Sequence, residues 1–124
     1  AYKAAMGLSL EMKSSGLQKR SYCYTIDAAA AILIVLLKGY SGEAYNICTE
    51  EILTIREMAE IYAQTGHVSL SYVEPTEKEI KAFNPMNNSS LSFNKLKSLG
   101  FRQSFSTKEG LEHTLKILKE ECEE

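Results

Sequence analysis

The chain has 124 residues, 44% hydrophobic and 24% charged, which is one domain's worth of ordinary globular sequence with a modest core. Its net charge is −2 and its acidic residues gather in the C-terminal run KEECEE, so there is no basic footprint for nucleic acid or an anionic membrane surface. Cys23, Cys48, Cys122, His67 and His113 show no metal-ligand spacing, and an odd number of cysteines does not suit a disulfide framework, which points to a reducing cytoplasm and no metal centre.

Residues 1–7 read as the last turns of a helix, and no secretory signal is visible. Leu8, Leu10 and Met12 alternate with Ser9 and Glu11, which predicts an amphipathic strand. Ser14-Ser15-Gly16 is a turn signal, so a hairpin with the next strand is expected. That strand is Arg20–Thr25, aromatic and β-branched, with Arg20, Tyr22 and Tyr24 on one face. Asp27 has the chemistry of a helix cap, and Gly39 can take the left-handed conformation that ends a helix. The residues between, Ala28 to Leu37, are apolar on every side and predict a helix covered by protein all round, too short to span a bilayer.

A strand over Ala44–Cys48 follows the turn Gly39–Gly42. Thr54-Ile-Arg-Glu57 is a capping box, and it places Ile55, Met58, Ala59 and Tyr62 on one face of a helix that Gly66 should stop. Val68, Leu70 and Tyr72 predict a half-exposed strand. Residues 75–91, PTEKEIKAFNPMNNSSL, are the least regular stretch, of the kind that often carries function. A short helix around Lys95–Leu99 ends at Gly100, and the capping box Ser106-Thr-Lys-Glu109 opens a last helix with the stripe Leu111, Leu115, Leu118.

An arginine before an aromatic-rich strand, an Asp, an Ala-rich apolar helix and then Gly42-Glu-Ala-Tyr-Asn-Ile47 together resemble the C-terminal part of the extended short-chain dehydrogenase/reductases, the NAD-dependent epimerases and dehydratases of nucleotide sugars. The resemblance continues through KLKSLGF at 95–101 and STKEGLEHTLKIL at 106–118, so it covers nearly the whole chain from Leu8. It implies an α/β fold, α+β-like in this stretch: a small mixed sheet of short strands with about three to five helices, the C-terminal portion of a Rossmann-type enzyme.

The same resemblance implies a division of labour. Dinucleotide binding needs a Gly-rich strand-to-helix turn at which backbone approaches the pyrophosphate, and no G-x-G-x-x-G or G-x-x-G-x-x-G pattern occurs. The family's chemistry needs a Tyr-x-x-x-Lys pair, and none of the seven tyrosines is followed four residues later by lysine. NAD and the catalytic residues are therefore expected on an N-terminal cofactor domain outside this chain, which would hold the nucleotide-diphosphate sugar as a single substrate-binding domain.

Arg20 matches the family's phosphate-contacting arginine; on its residues alone it reads more simply as a surface arginine paired with a carboxylate. Asn46 sits where relatives place an asparagine near substrate, or it closes a strand-end turn. Many relatives carry a second phosphate-binding arginine where this chain has Asn87 and Asn88, whose amides hydrogen-bond but bring no charge; Lys78 or Lys81 could substitute. Three function classes follow: the substrate-binding part of a sugar-nucleotide epimerase or dehydratase, a non-catalytic binding or regulatory relative, and a free-standing interaction module. The apolar helix argues against the last and for self-association of the chain alone, as a homodimer.

Overall fold

A computed structural model describes residues 1–84 and 86–123. Six helices and five short strands are formed among them: α1 (Tyr2–Ala5), β1 (Leu10–Met12), β2 (Lys19–Ser21), α2 (Thr25–Lys38), β3 (Ile52–Thr54), α3 (Ile55–Gly66), β4 (Leu70–Tyr72), α4 (Glu77–Ala82), β5 (Asn88–Ser89), α5 (Asn94–Ser98) and α6 (Thr107–Glu123). β1 and β4 form a parallel pair with Leu10 opposite Leu70. A second sheet has the order β3-β2-β5, with β3 antiparallel and β5 parallel to β2. The expected mixed α/β architecture is therefore present, with one helix more than expected and two small sheets in place of one.

The expected hairpin of the first two strands does not form, because residues 13–18 turn aside onto the start of α3. The Arg56 N–H donates to the Gly16 carbonyl at 2.9 Å and the Ile55 N–H to the Gln18 carbonyl at 3.1 Å. Gly16 takes φ +65°, and a Cβ there would stand 2.9 Å from the Arg56 nitrogen, so glycine is what lets the loop seat against the helix. β1 is thereby freed to join β4.

The strand expected over Arg20–Thr25 is confined to Lys19–Ser21, and Tyr24 is already the N-cap of α2. Asp27 is not a cap either. It is buried within α2, and its carboxylate accepts the backbone N–H groups of Ser104 at 2.9 Å and Phe105 at 3.1 Å. Gly39 leaves α2 with φ −70° and ψ 151°, extended rather than left-handed, and a Cβ there would meet the Val35 carbonyl oxygen at 2.5 Å. Gly66 is the last residue of α3, packed on Ala4 of α1, and the left-handed residue is His67 at φ 56°.

Residues 44–48 join no ladder. Cys48 is pinned instead by its thiol to the Leu91 carbonyl at 3.0 Å, and the Thr49 hydroxyl donates to the Tyr22 carbonyl at 2.8 Å. Neither Cys23 nor Cys48 lies in a strand, though Cys48 is buried with Ala31, Phe93, Leu96 and Phe101 in one core, where the Phe93 and Phe101 rings meet edge to face. A second core joins α1, α3 and α6 around Ala4, Ala63 and Leu115.

Two further expectations are corrected. The stretch 75–91 contains α4, opened by a third capping box, Thr76 with Glu79, and β5. And α2 is not covered all round: Ala31 is fully buried, but Leu36 is 77% and Leu37 79% exposed. Ile26, Ile32, Leu33, Leu36 and Leu37 lie exposed along α2 and form a bare apolar stripe.

Candidate functional site

Arg20 is fixed at the middle of β2, the central strand of the three-stranded sheet, opposite Leu53 of β3 and Ser89 of β5. Its guanidinium donates to the Lys19 carbonyl at 2.7 Å and the Met86 carbonyl at 3.0 Å. None of the ion pairs among the described residues includes Arg20, so its partners are carbonyls and its charge stays uncompensated. A guanidinium in that state suits an incoming phosphate, which it can bind bidentately.

Asn87 and Asn88 are brought beside it. The Lys19 N–H donates to the Asn87 carbonyl at 2.8 Å, and Asn88 stands opposite Lys19 in the β2–β5 ladder. Both side chains are exposed. Asn46 belongs to a different part of the surface, where its amide donates to the Ser92 carbonyl at 3.0 Å. The segment 86–92 thus touches Arg20 at one end and Asn46 at the other, a reach of at most about 22 Å. Lys78 and Lys81 lie exposed on α4.

What the sequence reading missed is a cleft at the carboxyl ends of the parallel strands β1 and β4, the position where parallel sheets commonly receive ligands. This open cleft has a volume of about 470 Å³ and is walled by Met12, Tyr72, Pro75 and Phe83, with Lys13, Gln18 and Glu74 supplying polar groups. The Arg56 guanidinium lies 5.3 Å from the centre of the Tyr72 ring and steadies that wall. Gln18 is two residues from Arg20, and Phe83 precedes the segment that holds the Arg20 guanidinium. The legible signal for the far wall was Thr76-Glu-Lys-Glu79, whose capping box fixes where α4 begins.

Lys13, in the lining of this cleft, pairs with Glu79 of α4, Nζ to Oε1 at 2.5 Å. Glu79 also accepts the Thr76 N–H and hydroxyl, and these bonds, the Lys13 one foremost, bring its carboxyl down to about 2. The same pairing raises Lys13 above the ordinary lysine range. Burial raises the Tyr22 phenol.

Three of the six helix starts among the described residues are closed to an incoming pyrophosphate. The starts of α3, α4 and α6 are occupied by the chain's own carboxylates, Glu57, Glu79 and Glu109, each bonded back to a Thr or Ser cap. No Gly-rich turn leads from a strand into a helix; β3 runs straight into α3 at Ile55. Among the described residues no group of three His, Cys, Asp or Glu side chains could hold a metal ion, and no helix is long and apolar enough to cross a membrane.

The architecture is that of solved enzymes. It superposes on the UDP-glucose 4-epimerase of Thermotoga maritima, solved with UDP-glucose, with a TM-score of 0.82 at 22% identity over 98% of this chain and 38% of that one. WbmF of Bordetella bronchiseptica, solved with NAD+ and UDP, matches with a TM-score of 0.80 at 23% identity, over 98% and 35% of the two chains. These likenesses define the fold, which matches a little over a third of each of those chains. Residues 1–48 match the model of the NAD dependent epimerase/dehydratase family. The human dTDP-D-glucose 4,6-dehydratase is 31% identical over 115 residues, 86% of this chain and 31% of the relative. The chain is homologous to NAD-dependent epimerases and dehydratases and spans about a third of the length of that relative.

Proposed function

We propose that this chain is the nucleotide-sugar-binding portion of an NAD-dependent sugar-nucleotide epimerase or dehydratase, catalytically incomplete by itself. The observation that carries the reading is Arg20. It is anchored at the centre of a sheet, bonded only to carbonyls, and flanked by Asn87 and Asn88 beside an apolar cleft large enough for a base or sugar. In this reading Arg20 takes the diphosphate, the Asn87 and Asn88 amides hydrogen-bond phosphate or sugar, and the free carbonyl of the Asn46 side chain meets the far end of the ligand.

NAD is assigned to a cofactor-binding domain outside this chain, since the sequence has no Gly-rich dinucleotide turn, the starts of α3, α4 and α6 are filled by Glu57, Glu79 and Glu109, and no tyrosine has a lysine four residues on. The bare stripe of α2 is the surface that such a domain would cover, and in its absence a second copy of the chain takes its place. Three free cysteines fit a cytoplasmic setting. A second reading, a relative that binds the nucleotide sugar without turning it over, draws on the neutral Asn87 and Asn88.

Calorimetric titration with UDP tests the first reading at its centre. Arg20→Ala removes a charge-assisted contact worth about 1.5–3 kcal/mol and should weaken UDP roughly 10- to 100-fold. Unchanged affinity would take Arg20 out of the site.

A further inference from the structure

We propose that Lys13 is a phosphate-binding residue of the cleft: on binding a nucleoside diphosphate its ammonium leaves Glu79 for a phosphate oxygen, and α4 is released from the cleft mouth. This rests on the nucleotide-sugar reading above and adds to it a ligand contact and a moving part.

Lys13 directly follows β1 and is the one lysine or arginine among the residues lining the cleft. The lining holds one carboxylate, Glu74, and the guanidinium behind it, Arg56, is engaged with the Tyr72 ring and the Ser15 carbonyl, which leaves Lys13 as the cation to meet a ligand. Arg20 stands on β2, in the other sheet and outside the cleft lining, and the segment that clasps it offers neutral Asn87 and Asn88. A diphosphate brings at least two negative charges, and Lys78 and Lys81, on α4, do not line the cleft.

The present partner of Lys13 is easily given up. Both side chains of the Lys13–Glu79 pair are substantially exposed, and pairs of that kind are weak because water competes for both ions. Glu79 is not stranded by the exchange, since its second oxygen keeps the Thr76 N–H and hydroxyl, both at 2.9 Å. A phosphate offers the ammonium a more highly charged acceptor in a partly enclosed place.

The exchange has a mechanical consequence. Pro75, just before α4, and Phe83, just after it, are both cleft walls, so the helix bridges the mouth, and the Lys13–Glu79 bond ties its first turn to the opposite lip. α4 buries none of its residues, so breaking that bond leaves it with little packing to hold it.

The test uses the full chain with UDP and uridine as paired probes, and the variants Lys13→Met, Glu79→Gln and Arg20→Ala. Lys13→Met should weaken UDP about 10-fold and Glu79→Gln, which frees the ammonium, should tighten it about 3-fold, with uridine unmoved by either. Hydrogen exchange over 76–83 should speed up when UDP is added. Both substitutions break the same ion pair, so if the pair is only structural they shift UDP in the same direction, and that result overturns the proposal while leaving the nucleotide reading intact if Arg20→Ala still weakens UDP. If the unaltered chain binds no UDP, the nucleotide reading falls and the Lys13 contact with it.

Discussion

The carboxylate of Asp27, buried in the first turns of α2, accepts the backbone N–H of Phe105 at 3.1 Å and that of its neighbour Ser104 at 2.9 Å, joining residues 78 positions apart in sequence. The loop that leads into α6 is thus nailed to α2 by one side chain. Asp27→Ala leaves two partly buried donors without their carboxylate and should lower stability by about 1–3 kcal/mol, whereas Asp27→Asn, which keeps one acceptor, should cost less. Urea unfolding of the two variants gives the order, and equal, small losses would show that the loop relaxes to water.

The acid side of the stability profile follows from Glu79, with Glu57 and Glu109 shifted the same way by their caps. A carboxyl whose folded pKa lies below its unfolded value stabilises the fold fully above the unfolded value, and the contribution is lost as pH falls through the folded one. For Glu79 the window runs from 4.5 down to about 2. An NMR titration of its side-chain carboxyl should find the low midpoint, and Lys13→Met should move that midpoint up. A midpoint at the ordinary value would mean that the Lys13 bond does not persist in solution.

Much of the fold could be read from the residues, and the successes share a cause. Capping boxes are local, so Thr54-Glu57 and Ser106-Glu109 place α3 and α6 without any knowledge of the rest. The same chemistry at Thr76-Glu79 was legible but was masked by the Pro, Asn and Ser around it. Two of the misreadings turn on non-local packing. Gly16 looks like a hairpin turn, yet it serves a close approach to Arg56; Asp27 looks like a cap, yet its partners are at 104 and 105. Of the site, Arg20 and the two asparagines stood out in the sequence, while the cleft did not, because Met12 and Phe83 look like any core residues until β1 pairs with β4.

The bare stripe of α2 should make the isolated chain self-associate. Burying even ~400 Å² of apolar surface is worth about 10 kcal/mol before association costs, enough for a weak or moderate dimer. Sedimentation equilibrium at micromolar concentration should show it, and Leu37→Glu, placed on a residue that supports no local core, should shift the chain to monomer. A strictly monomeric parent chain would contradict this use of the stripe.

The segment 75–91 should be the least protected internal stretch in the free chain and should change most on adding UDP, since α4 has no buried residue and β5 is two residues long. Hydrogen exchange followed by mass spectrometry reads both. Protection equal to that of α3 in the free chain would contradict it.

The central claim is that this chain holds the nucleotide sugar and leaves the dinucleotide to another domain. Calorimetry of the unaltered chain against UDP and, separately, NAD tests it most directly. Measurable, Arg20-dependent heat with UDP and none with NAD is the predicted result; tight binding of NAD would contradict the claim.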